Sequence, residues 1–104
     1  MLYRYFNKKL FYAKTSGIHP ETVYRLLDSS EIIGRNPKDL KIMRNEIFAR
    51  HGLIFKSPDL REYFINQDWY KPLYNDVSAA LTPIEAANAK LILSVERPDT
   101  TQKK

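Results

Sequence analysis

The sequence predicts a mainly α, small compact domain of three to four short helices, with a short N-terminal β-hairpin as an option. Three observations carry that prediction. Proline follows a plausible helix cap at His19-Pro20, Asn36-Pro37, Ser57-Pro58 and Thr82-Pro83. It suits the first helical turn because the N–H it lacks would be unpaired there and its fixed φ is already helical. Downstream of each proline, apolar residues recur at the 3.6-residue period of a helix with one buried face. The chain of 104 residues is 43% hydrophobic and 28% charged, with no cysteine. Such a chain can build one core that buries about 60–65% of its unfolded surface, and is too short for two.

In chain order, residues 2–14 read LYRYFNKKLFYAK and alternate aromatic with polar side chains, as a hairpin turning at Asn7 to Lys9 or a short helix would. Residues 20–29 offer Val23, Leu26 and Leu27 to a core. Residues 37–51 place Leu40, Met43, Ile47 and His51 on one face, with Asn36 and Asp39 as a loose capping box and Gly52 as a left-handed stop. Residues 58–67 align Leu60, Tyr63 and Phe64 behind Ser57 as cap. The stretch DWYKPLYNDVSAAL is an irregular connection with Trp69, Tyr70, Leu73, Tyr74 and Val77 as wedges. Residues 83–96 carry the stripe Ile84, Ala87, Leu91, Ile92 and Val95, opened by the Thr82/Glu85 capping box and limited by Pro98. Helices shorter than about 12–15 residues are marginal alone in water, so these must pack together. The organisation expected is a basic-aromatic arm or hairpin at residues 1–18, a helical body at 23–97 and a polar, disordered tail at 98–104.

The net charge of +5 is unevenly placed. Residues 1–14 hold Arg4, Lys8, Lys9 and Lys14 with no acid, whereas residues 36–98 hold nine basic and eight acidic side chains. A nearly neutral body argues against nucleic acid as the partner. The arm could still rest on anionic lipid or stack on single-stranded nucleic acid, giving peripheral membrane contact through residues 1–14. No apolar stretch reaches the length of a transmembrane segment, and the charges in MLYRYFNKKLFYAK do not make the core of a signal peptide. The lack of cysteine fits a reducing or an oxidising compartment.

The densest chemistry is RNEIFARHG, from Arg44 to Gly52. On the helical wheel Arg44 and His51 fall beside the apolar face, and Glu46 and Arg50, four apart, can pair on an adjoining one. Asn88 falls amid the stripe of the last helix and needs a partner, since an unpaired buried amide costs about 1–3 kcal/mol. The residues leave two roles open. Arg44, His51 and Asn88 could bond one another or the carbonyls at helix ends, so that the cluster of Arg44, Asn45, Glu46, Arg50, His51 and Asn88 is structural. Alternatively Arg44, Arg50 and His51 could supply donors to an anion or sugar, with Trp69 or Tyr70 as a stacking face. Catalysis has less to stand on. His51 could be a general acid or base, but Glu46 is five residues away and points elsewhere, so the two make no dyad. GxSxG, HExxH and phosphate-loop patterns are absent, and His19 and His51 lie far apart with no thiol between them. No catalytic residue, cofactor or metal is therefore expected, and a hydrolase centred on His51 stands only as an alternative.

RNEIFARHG, together with LREYF, WY and the later LTPIEAANAKLI, resembles the YARHG domain, a small bacterial module named after a motif that here reads Phe48-Ala49-Arg50-His51-Gly52. The resemblance runs from about residue 23 to residue 97. Arg44, Asn45, Glu46, Arg50, His51, Gly52, Trp69 and Tyr70 stand at motif positions, and Phe48 stands where the family has tyrosine, so the ring's packing matters here more than a hydroxyl. The resemblance implies a compact helical domain, found beside other domains in secreted or membrane-anchored bacterial proteins, with no established molecular function. It leads us to expect a non-catalytic, extracytoplasmic or envelope-associated interaction module whose partner is a protein or a cell-envelope polymer. Trp69, Tyr70 and Tyr74 are the aromatic contacts such a module would offer.

Overall fold

The computed structural model describes residues 16–96; the arm or hairpin expected at residues 1–18, apart from residues 16–18, and the tail at 98–104 lie outside them. Among the described residues there are five α-helices: Glu21–Tyr24 (α1), Ser29–Ile32 (α2), Pro37–Arg50 (α3), Pro58–Ile65 (α4) and Pro83–Glu96 (α5). A 3-10 turn follows at Ser78–Ala80, and an isolated parallel bridge joins Leu53 to Tyr74. None of these helices is long and apolar enough to cross a membrane.

α3 is the centre of the molecule; its Asn36 cap and Gly52 stop form as the sequence predicts, whereas the loose Asn36/Asp39 box does not. Asn36 Oδ1 accepts from Lys38 N at 2.7 Å, which satisfies one of the orphan donors of the first turn. At the other end Gly52 has φ +90°, a conformation that L side chains resist. α3 serves two cores. Leu40, Met43 and Ile47 pack with Leu27, Ile32, Ala89 and Ile92, while Ala49 packs with Phe55, Leu60, Phe64 and Tyr70. Half-buried Phe48 packs against both. In the second core Phe64 stacks on Phe55 at 4.9 Å between ring centres and meets Tyr63, Trp69 and Tyr70 edge-on or tilted. Each such side chain, fully buried, contributes about 1.5–3 kcal/mol.

Four features differ from expectation. The helix expected at residues 20–29 is two single turns with an extended Arg25 between them. Asn88 is the physical reason. Its side chain takes the carbonyls of Thr22 and Arg25 at 3.0 and 2.8 Å and the N–H of Leu27 at 2.8 Å, groups that a continuous helix would have used for itself. The chain restarts at a capping box between Asp28 and Glu31. On α5 the buried residues are Glu85, Asn88, Ala89 and Ile92, whereas Ala87 is exposed and Ile84, Leu91 and Val95 are half-buried. The face is turned because its two polar members bond across the interface. Of the five wedges only Tyr70 and Val77 are buried and Trp69 is half-buried; Leu73 and Tyr74 are 62% and 55% exposed. Their backbone is occupied instead: Leu73 N and Tyr74 N each donate to Gly52 O at 2.9 Å, and Ile54 N donates to Tyr74 O at 2.8 Å. Ser57 makes no cap bond to the backbone; its hydroxyl goes to Asp59.

Two predictions arise from these ends. A Cβ at position 52 would sit 3.1 Å from the Lys71 carbonyl in a left-handed backbone, so Gly52→Ala should cost at least about 1–2 kcal/mol in a urea titration. The α2 cap gives a pH dependence. The Arg25 guanidinium, 2.8 and 2.9 Å from the Glu31 carboxylate, and the Asp28 N–H hold that carboxyl down to about 2. The folded value lies below the unfolded value of about 4.3, so the stabilisation is complete above that pH and lost as pH falls towards 2. Glu31→Gln should flatten the acid limb of the stability profile between those values and leave the slope above pH 6 unchanged.

Candidate functional site

The cluster in RNEIFARHG is built from α3 outward. Glu46 and Arg50 are one turn apart, and their side chains are each 1% exposed, with Nη2 of Arg50 3.0 Å from Oε1 of Glu46. Expected on an adjoining face, they are instead a buried ion pair, because the chain from Ser16 to Thr22 crosses over them. Ile18 N donates to Glu46 Oε2 at 2.8 Å and His19 N to Oε1 at 2.9 Å. Arg50 answers with Nε to Ser16 O at 2.6 Å, Nη2 to His19 O at 2.9 Å and Nη1 to Thr22 Oγ1 at 3.0 Å. Gly17, at φ +103°, is the residue that permits the approach, since a Cβ there would lie 2.5 Å from the Glu46 carboxyl carbon. Burial pulls the Arg50 pKa below its ordinary value and the Glu46 charge pulls it back; the side chain stays a cation.

The other candidate residues also have partners within the chain, but not one another. Arg44 forms a bidentate pair with Glu96, Nε to Oε1 at 2.7 Å and Nη2 to Oε2 at 3.1 Å. Asn45 Nδ2 donates to Lys41 O at 2.8 Å within its own helix. His51 Nε2 stands 2.9 Å from Glu85 Oε1, an acceptor that fixes the proton on Nε2. The same oxygen accepts from Thr82 N at 2.9 Å, and Thr82 Oγ1 accepts from Glu85 N at 3.1 Å, completing the capping box read from the sequence. Asn88 serves carbonyls near the end of α1, one of the roles the sequence left open; Arg44 and His51 do not. No buried side-chain nitrogen or oxygen among the described residues lacks a partner.

The aromatic candidates divide. Tyr70 is buried, donates to Leu53 O at 2.5 Å and has its pKa raised by burial. Trp69 lies edge-on to Phe64 and Tyr70, and only Tyr74 is largely open. Arg44, Asn45 and Phe48 line an open groove of about 290 Å³ with Leu53, Asp76, Val77 and Ser78. No group of three or more His, Asp or Glu among the described residues could hold a metal ion.

Sequence reasoning missed Gly17, Thr22, Glu85 as the partner of His51, Glu96 as the partner of Arg44, and the whole crossing segment. Thr22, completely buried, left a faint signal as the polar neighbour of Val23; the pairings of Arg44 and His51 span distances that no local period encodes.

These observations define a small helical module in which one central helix uses a buried ion pair to hold a mostly irregular N-terminal strap. The chain belongs to the YARHG domain family, whose model matches residues 15–97 and so takes in the strap as well as the helical body. No curated protein and no solved structure matches the chain.

Removing Arg50 leaves Glu46 buried and uncompensated, a change that costs about 3–5 kcal/mol. Arg50→Ala should therefore bring the domain close to unfolding at room temperature in a circular-dichroism melt. His51→Ala loses one bond from a half-buried ring, and should lower stability by only about 1–2 kcal/mol.

Proposed function

We propose that this domain is a non-catalytic binding module that presents one face to a protein or a cell-envelope polymer. One observation carries the reading: the side chains that could have made an anion or catalytic site are occupied within the chain. Glu46, Arg50 and Asn88 hold the strap, Arg44 holds Glu96 and His51 holds Glu85. A ligand would find each of these charges already matched by a partner of opposite charge or, at Asn88, the amide already bonded to backbone. Apolar side chains are left exposed where the connection pairs with the end of α3, namely Ile54 at 39%, Leu73 at 62% and Tyr74 at 55%. Grouped exposed apolar residues of this kind mark contact surfaces more often than scattered ones do.

A hydrolase centred on His51 is the second reading. Its one favourable observation is that Glu85 gives the ring a carboxylate partner, as a general base has. His51→Ala would remove any turnover by this route; turnover unchanged in that variant ends the idea.

The main reading is tested with Leu73→Ser/Tyr74→Ser. Both side chains are exposed, so the unfolding midpoint should move by no more than about 0.5 kcal/mol per site. A polypeptide retained from envelope extracts, or a glycan retained on an array, should then bind the double variant at least tenfold more weakly than the parent. Equal retention by parent and variant rejects this face.

A further inference from the structure

The groove beside α3 has an electrostatic character that the side chains lining it define. Phe48, Leu53 and Val77 give it apolar walls, and Arg44, Asn45, Asp76 and Ser78 its polar groups. Arg44 does not make it an anion site. Both oxygens of Glu96 are bonded to its guanidinium, and the Glu96 side chain is only 8% exposed. The pair has no net charge, so an incoming carboxylate or phosphate would find only the remaining N–H groups of a guanidinium whose charge Glu96 already matches.

Asp76 is placed differently. Its Oδ1 accepts from Ser78 N at 2.9 Å and from Ser78 Oγ at 2.7 Å, which fixes the carboxylate while no donor among the described residues reaches Oδ2. None of the ion pairs among the described residues includes Asp76. The Ser78 hydroxyl and N–H hold its carboxyl below the usual carboxylate range, so it is ionised at neutral pH. With Arg44 and Glu96 cancelling, the groove carries the single negative charge of Asp76 over apolar walls.

We infer that the groove takes one basic side chain of a partner polypeptide, its aliphatic stem against Phe48, Leu53 and Val77 and its cationic head on Asp76. The inference rests on the binding-module reading and adds the chemistry of what is bound. Size permits it: an open groove of about 290 Å³ has room for a long side chain. Chemistry supports it as well, because long basic side chains lay their stems on apolar surface and keep the charge at the rim. The groove also adjoins the exposed face proposed above, since Leu53 is bridged to Tyr74.

The test is a titration of the full chain, followed by NMR of the Leu53 and Val77 methyl groups, with N-acetyl-lysine-methylamide as probe. The same amides of norleucine and glutamate, and glucosamine, serve as competitors of different chemistry. The lysine probe should give saturable shifts and bind at least fivefold more tightly than the other three. Asp76→Asn should weaken the lysine probe three- to tenfold, with norleucine binding and the unfolding midpoint unchanged. Glutamate binding as tightly as lysine, glucosamine binding more tightly, lysine binding indifferent to Asp76→Asn, or no saturable shift each overturns the inference. Loss of the groove alone, with the Leu73/Tyr74 effect intact, leaves the module reading standing. Loss of the Leu73/Tyr74 effect with lysine still bound rejects only the wider face.

Discussion

The fold depends on an ion pair that is expensive to bury. Taking a carboxylate and a guanidinium out of water costs several kcal/mol per ion, and their mutual attraction offsets this only when the remaining hydrogen-bonding capacity is also met. Glu46 and Arg50 meet it with a segment that has almost no regular structure of its own. Two backbone N–H groups, two carbonyls and the Thr22 hydroxyl close the shell around the pair. The dependence runs both ways. Ordering each strap residue costs about 1–2 kcal/mol of backbone entropy, and apolar burial there is sparse, with Ile18 exposed. Without the pair the strap has little reason to stay, and without the strap the pair has no reason to be buried.

α5 repeats the device at lower cost. Asn88 is neutral, so its burial asks only for hydrogen bonds, and it finds three at the break between α1 and α2. Glu85 caps its own helix and orients His51 with the same oxygen. Strap and first turns are thus fixed by polar side chains from two different helices. Apolar contact alone would allow the strap to slide; directional bonds to named backbone atoms specify one register.

The parts legible in the sequence were those governed by local rules. The bounds of α5, the stop at Gly52 and the Thr82/Glu85 box follow from caps, glycine and period, each acting within one turn. The Glu46–Arg50 pairing was legible for the same reason, as an i, i+4 contact. Its burial was not, because that is decided by a strap starting some 28 residues upstream, from Ile18 to Glu46. The helix expected at residues 20–29 failed by the same logic: Val23, Leu26 and Leu27 have helical spacing, but Asn88, more than 60 positions away, competes for the backbone of Thr22, Arg25 and Leu27. Leu73 and Tyr74 were misjudged because hydrophobicity predicts burial only where the backbone leaves the side chain a core to enter.

The motif itself separates into two faces once the helix is drawn. Residues four apart lie within about 40° of one another on an α-helix, whereas residues two apart are separated by about 160°. Glu46 and Arg50 therefore share one side of α3, and Arg44 and Phe48 share nearly the opposite side. The first pair is covered by the strap and the second lines the open groove. One short stretch of sequence consequently answers to two different constraints: on the strap side Glu46 and Arg50 must be enclosed by backbone, and on the groove side Arg44 must match Glu96 while Phe48 packs against both cores. A substitution on either side is therefore read first as stability, but through a different set of partners. A set of motif positions taken as a single site would average these effects and obscure both.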